Sequence, residues 1–249
     1  MKLIISPAKK MKVDTDSLPW RDLPRFLEQS EELRGTLRAM SYDQLKSLWK
    51  CNDQIAQLNF DRLQTMDLRR NLTPAILAYE GIQYQYMAPG VFSDREFEYA
   101  QNHLRILSGF YGLLRPFDGV VPYRLEMGAK LPMGSHKDLY AYWGSRLADA
   151  LCSEDDTILN LASKEYSQCI SKHLPKTSRM ITCTFGELQP NGKIIEKGTL
   201  CKMARGEMVG FLAEHDVDSP EEAKGFDRLN YRYSEEHSDE NNYTFILQK

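Results

Sequence analysis

The sequence predicts an α+β fold, a single mixed domain over residues 1–249 with a β-sheet core flanked by helices and a helical hairpin near residues 42–62. Three observations lead there. Short β-branched apolar runs, the pattern of buried strands, are interspersed with stretches of helical apolar spacing. At 42% hydrophobic content, 249 residues can bury a full core. No internal repeat, low-complexity tract or linker divides the chain.

The elements follow in order. Lys2 to Ser6 is an apolar run stopped by Pro7, a buried strand that ends in a loop. Lys9 and Lys10 stand just past its carboxyl end, a common place for ligand groups in α/β proteins. Phe26, Leu27, Leu33, Leu37 and Met40 form a helical stripe, and Ser41 with Gln44 offers a capping box for a second helix carrying Leu45, Leu48 and Trp49. Asn52-Asp53 breaks that helix, and Ile55, Leu58 and Leu63 carry a third.

Ile76 to Tyr84 reads as strand and turn before the Pro89-Gly90 break, and Glu96 to Leu104 as helix. Arg105 to Gly109 is a buried strand candidate. Gly112, Pro116, Gly119 and Pro122 exclude a long regular element after it, which leaves an irregular, arginine-bearing loop of the kind that carries sites. Leu139 to Leu151 is helical, Thr157 to Ala162 a strand and Lys164 to His173 a helix. Met180 to Leu188 and Lys193 to Thr199 flank Pro190-Asn191-Gly192, a hairpin signal because Asn-Gly accepts positive φ. Lys202 to Glu214 is a helix, and Tyr243 to Leu247 closes the chain as a strand.

Composition narrows the function classes. No stretch reaches the roughly 18 apolar residues of a membrane span, and the first residues lack a long apolar signal core, so a cytoplasmic protein without membrane partners is expected. Cys51, Cys152, Cys169, Cys183 and Cys201 are odd in number and without CxxC spacing, which argues against a disulfide framework or a cysteine zinc site. The net charge is −3, yet Glu214 to Asn242 holds ten acidic residues against three basic ones, so the remainder carries +4. That acidic stretch reads as solvated surface rather than a regulatory arm. Walker A, GxGxxG, HExxH and GxSxG signatures are absent. Cys169 and His173 stand i,i+4 on a helix without a third ligand, and Glu235-Glu236-His237 reads as solvated surface, so no metal and no cofactor is expected.

Four segments carry a resemblance. Leu104 to Asp118 (LRILSGFYGLLRPFD), continued by Pro122 to Leu131 (PYRLEMGAKL), Ser6-Pro-Ala-Lys-Lys10, Leu159 to Tyr166 (LNLASKEY), and Lys202-Met-Ala-Arg-Gly206 together resemble the YaaA family of peroxide-stress resistance proteins, in order and across essentially the whole chain. The resemblance implies a cytosolic bacterial protein that helps cells withstand hydrogen peroxide and limits reactive iron. It also implies DNA binding through a helix-hairpin-helix element and a basic cleft on a mixed α+β fold. The chain departs from the pattern at Met203, where a second lysine is expected, which lowers the local positive charge.

The residues themselves point toward phosphate. Lys9, Lys10, Arg115, Arg124, Lys130, Lys202 and Arg205 all fall in these segments, where arginine's planar fork and lysine's point charge suit phosphate oxygens. Gly109, Gly112 and Gly206 would let backbone N–H groups approach the anion. Against this stands mutual pairing of Arg115, Asp118, Arg124 and Glu126 to pin an irregular loop. The hairpin offers secondary DNA contacts at Lys46, Lys50, Asn52 and Arg62. Its usual glycines are missing; Asn52-Asp53 would make the turn in left-handed geometry, and Asp53 would repel phosphate.

Three functions remain open: a DNA-binding protein that contacts phosphates, an enzyme acting on a small phosphorylated or anionic metabolite, and a protein acting directly on iron. For the enzyme, Asp118, Glu126, Glu165 or Tyr166 would supply acid–base groups; catalytic residues are otherwise unassigned. If the four segments form one site, they should converge in space.

Overall fold

The computed structural model describes residues 1–248. Eight strands form one mixed sheet: β1 (Lys2–Ile5), β2 (Leu104–Ser108), β3 (Gly112–Leu114), β4 (Thr157–Leu161), β5 (Arg179–Leu188), β6 (Ile194–Ile195), β7 (Tyr231–Tyr233) and β8 (Asn242–Leu247). Their order across the sheet is β7-β8-β5-β4-β1-β2-β3, with β6 paired to the end of β5. The five inner strands run parallel; β3 and β7 close the edges antiparallel. Leu3 of β1 lies opposite Leu104 on one side and Leu159 on the other. Strands β1, β2 and β4 are buried almost along their length, the pattern of parallel strands covered on both faces, and this explains why their sequences are continuous apolar runs rather than alternations.

The helices are α1 (Leu27–Arg38), α2 (Tyr42–Trp49), α3 (Asp53–Thr65), α4 (Ile82–Met87), α5 (Asp94–His103), α6 (Leu139–Trp143), α7 (Arg146–Cys152), α8 (Lys164–Ser171) and α9 (Gly198–Glu214), with single turns at Ala75–Ala78 and Pro220–Ala223. The fold is therefore α+β, as expected. The Ser41–Gln44 capping box forms with both of its hydrogen bonds. A single hydrophobic cluster runs from Met1 to Phe245.

Four local expectations need correction. Ile76 to Tyr84 is not strand and turn: it holds a helical turn, a two-residue strand and the start of α4. Burial explains the misreading, since Ala75 to Tyr79 is buried on all sides and apolar spacing there carries no period. Leu139 to Leu151 is two helices, split where Gly144 adopts φ 52°. After Gly192, which has φ 77°, the returning strand is only Ile194–Ile195, and Gly198 already opens α9. In the 50–52 connection the left-handed residue is Lys50 (φ 46°), while Asn52 is extended and caps α3 by accepting the Ile55 N–H at 3.0 Å.

The acidic stretch is tied down by its own apolar anchors, Val217, Ala223, Phe226 and Tyr231, and β7 joins the sheet edge. Its charges face solvent around that anchored frame.

Candidate functional site

Topology sets the location. From β1 the chain passes first to β2 on one side and later to β4 on the other, so the carboxyl ends of β1 and β4 flank a switch point, where open α/β sheets bind ligands. The two strand ends are joined there. Ser163 donates its backbone N–H to Ser6 Oγ at 2.8 Å, the two hydroxyls lie 3.2 Å apart, and Tyr84 donates its hydroxyl to the Ser6 carbonyl at 3.1 Å.

A cavity of about 420 Å³ opens above this junction, and residues from all four motif segments line it. Ser6 to Lys10 come from the first, Tyr123 to Glu126 from the second, Ser163, Glu165 and Tyr166 from the third, and Lys202 and Arg205 from the fourth, with Glu80 to Tyr84 completing the wall. Its size falls within the range of ligand pockets.

Two glycines bring the walls this close. A Cβ on Gly109 would lie 2.6 Å from the Leu125 carbonyl oxygen, so only glycine lets the 124–127 strip lie across the end of β2. A Cβ on Gly206 would lie 2.2 Å from the Gln83 carbonyl oxygen, so glycine lets α9 press against α4 and carry Lys202 and Arg205 to the cavity. Gly112, at φ 73°, is packed against the Trp143 ring. These glycines thus serve chain-to-chain approach, where the sequence reading gave them to an anion.

The charge balance of the wall is uneven. Five cations line the cavity, Lys9, Lys10, Arg124, Lys202 and Arg205, against the three carboxylates of Glu80, Glu126 and Glu165. Glu126 serves two cations, Lys9 at 2.9 Å and Arg124 at 3.2 Å. Lys10 pairs with Glu80 at 3.0 Å, and Glu165 is held by the Gly128 N–H at 2.9 Å. Arg205 reaches Glu196, outside the cavity, at 3.4 Å, and Lys202 has no carboxylate partner among the described residues. The lining therefore carries a formal excess of two positive charges, one of which, on Arg205, is met by Glu196 from outside the cavity.

Unmet hydrogen bonds cluster here too. Among the described residues five buried side-chain polar atoms lack a hydrogen-bond partner, and three of them, Arg124 Nε, Arg205 Nε and Gln83 Nε2, belong to cavity residues. The Arg124 and Arg205 side chains are only 10% and 13% exposed, and Gln83 is 7% exposed. An unsatisfied buried donor costs about 1–3 kcal/mol, so three in the residues of one wall represent a standing cost.

Helix α8 starts at the same crevice, where Ser163, Glu165 and Tyr166 line the cavity; its N-cap Ser163 makes no side-chain capping bond, and the positive end of the helix dipole lies at this end. Burial pushes the Tyr123 hydroxyl up to about 12 and those of Tyr84 and Tyr166 well above the ordinary tyrosine range, so all three stay protonated at neutral pH.

Not every expected residue is here. Arg115 lies at the opposite, amino-terminal end of the sheet, lining a second cavity of about 250 Å³ with Arg25, Arg105, Asp118 and Glu154. It grips Asp118 at 3.1 Å and Asp22 at 3.1 Å. Burial raises the Asp118 carboxyl from 3.8 to about 6 despite that contact, because desolvation outweighs the arginine's charge. Lys130 is exposed and lines neither cavity.

In the hairpin, Lys46 neutralises Asp53 at 2.6 Å, Lys50 is exposed at the turn, Asn52 is the helix cap, and Arg62 points to the Met11 carbonyl at 3.4 Å. None of the four lines the cavity. Cys169 is buried, with its thiol pushed up to about 12 by burial, while His173 is exposed beyond the end of α8. No group of three or more His, Cys, Asp or Glu side chains is placed to hold a metal among the described residues. No helix among them is long and apolar enough to cross a membrane.

Sequence reasoning did not single out Ser6, Ser163, Tyr84 and Gln83. The two serines follow apolar strand runs directly, a signal that the strand-end rule can use. Gln83 has no such signal, because its place depends on the α4–α9 contact.

Comparison with known proteins gives a consistent picture. A family profile described as peroxide stress protein YaaA matches residues 1–237. A protein of Agathobacter rectalis named UPF0246 protein is 53% identical over 98% of each chain. Similar relatives occur in Lachnoclostridium phytofermentans (52%, covering 99% of this chain and 96% of the other) and Desulfitobacterium hafniense (54%, 99% and 98%).

Proposed function

The chain belongs to the peroxide stress protein YaaA family, and from that premise we propose that it acts in the cytosol in peroxide defence by binding a small dianionic ligand, a phosphate monoester, in the cavity at the carboxyl end of the sheet. The observation that carries this reading is the convergence of four separated segments on one wall. That wall has two excess positive charges and three unpartnered buried donors. Arg124 and Arg205 would fork the phosphate oxygens, Lys202 would supply a point charge, and the α8 amides would add donors. Titration calorimetry with inorganic phosphate and ribose 5-phosphate tests it. Saturable binding in the wild type, weakened in Arg205→Met and Lys202→Ala, is the expected result; absence of binding at millimolar phosphate ends the proposal.

An enzymatic role for the same pocket is a natural extension. Glu165 and Tyr166 stand beside the cations and would serve proton transfer, with Glu126 as a carboxylate already engaged by Lys9 and Arg124. DNA binding is the second reading, favoured by Lys9 and Lys10, whose side chains are 66% and 77% exposed at the cavity rim. Duplex binding through phosphates would fall steeply with salt, and affinity insensitive to salt would reject it. The hairpin would then contribute Lys50 at its turn.

A further inference from the structure

We infer that the ligand of this cavity is a nucleoside monophosphate unit, with the phosphate on the arginine–lysine wall and the base read by the side-chain amide of Gln83. The inference rests on the anion-binding reading above and adds the identity of the uncharged part.

Three observations carry it. Gln83 is 93% buried, sits in the cavity wall beside Tyr84, and its amide nitrogen has no partner. A carboxamide places one donor and one acceptor side by side, and exchanging its N and O assignments still leaves a buried polar atom to be matched. Its nitrogen is sealed from solvent, so a rotation of the side chain presents this edge to the cavity, where the matching group is another donor–acceptor edge such as a nucleobase offers; glutamine reads adenine in this bidentate way. Second, the cavity is not polar throughout: Ala8, Ile82, Leu125 and the rings of Tyr84, Tyr123 and Tyr166 contribute to its lining, which suits a flat heterocycle rather than a bare sugar phosphate. Third, the chemistry of an amino-acid ligand fits poorly. Its ammonium would find Glu80 and Glu126 already paired with cations, which leaves Glu165 alone, one oxygen of which accepts the Gly128 N–H.

Such a unit has two sources, a free nucleotide or a nucleotide of a single strand turned into the cavity. The cations and Gln83 recognise the same atoms in both.

The test is titration of the wild-type protein with ribose 5-phosphate, AMP, CMP, GMP and UMP. At least one nucleotide is expected to bind ten-fold or more tightly than ribose 5-phosphate. Gln83→Met should erase the difference between that nucleotide and ribose 5-phosphate, both titrated against the same variant, because methionine matches the shape and offers no amide. If all four nucleotides bind no better than ribose 5-phosphate, the base-reading inference is overturned and phosphate binding stands. If neither ribose 5-phosphate nor any nucleotide binds, both fall. The wild-type comparison needs no variant to fold. A 5′-phosphorylated single-stranded oligonucleotide assigns the source: Gln83-dependent binding tighter than that of the free nucleotide supports a strand, and weaker binding supports the free nucleotide.

Discussion

The two ends of the sheet use the same residue types to opposite effect. At the amino end, Arg105 is buried and bound to Glu154 through Nε at 2.9 Å, Arg115 is bound to Asp118 and Asp22, and Glu154 also draws Lys2 at 3.5 Å and Arg25 at 3.9 Å. Each buried charge there faces one of opposite sign. At the carboxyl end, Lys202 stands without a carboxylate partner among the described residues, and two arginines and a glutamine keep unpartnered donors. Closed networks hold a chain together, whereas a deficit of acceptors is tolerated where something else supplies them. The contrast therefore separates structural arginines from ligand arginines, which residue type alone does not.

Stability and binding measurements can break or sharpen this contrast. The largest effect is expected from Glu154→Ala, which strands buried Arg105; breaking such a pair costs about 3–5 kcal/mol. Denaturant midpoints should fall accordingly while the affinity for inorganic phosphate stays unchanged, and a variant as stable as wild type would dissolve the idea of a structural amino end.

Asp118 comes next. Its carboxyl titrates near 6 in the folded chain against 3.8 ordinarily, so the folded state holds the proton more tightly. That contribution is fully present below pH 3.8 and is lost as pH rises through 6, an effect of about 2–3 kcal/mol. Comparing wild type with Asp118→Asn by urea unfolding at pH 4 and pH 7 isolates it: the difference between the two proteins should shift in that direction, and a pH-independent difference would contradict the burial argument.

Arg205→Met should do the reverse of Glu154→Ala. Stability is expected to change by less than about 1 kcal/mol, since the variant removes an unpartnered donor along with a charge. Phosphate affinity should drop about 10- to 100-fold, the worth of a charged hydrogen bond. A large loss of stability with binding intact would move Arg205 into the structural class. Lys202→Ala is the smallest perturbation. Stability should stay within about 0.5 kcal/mol, with an affinity loss of a few fold that shrinks as salt is raised, read by calorimetry at two ionic strengths.

Much of the frame was legible in order along the chain. Pro7 after β1, the Ser41–Gln44 capping box and Gly192 in the β5–β6 turn each act within a few residues, so their signals survive in a linear string. Ile76 to Tyr84 was misread because burial on all sides up to Tyr79 erases the apolar period that distinguishes strand from helix. At the candidate site, charge type was visible and partnership was not: Arg115 and Arg124 both stand in an arginine-bearing loop, yet one faces the amino end and the other the carboxyl end of the sheet.

By itself, then, the sequence determined the α+β class, the strand and helix caps, the family resemblance and the set of basic residues from which a site could be drawn. Tertiary structure alone decided which of those charges remain unbalanced. Pairing depends on contacts such as Lys9 with Glu126, and the place of Gln83 depends on Gly206 letting α9 press against α4, both separated by more than a hundred residues of chain. Local propensity carries no record of such distances; only packing brings those atoms within reach.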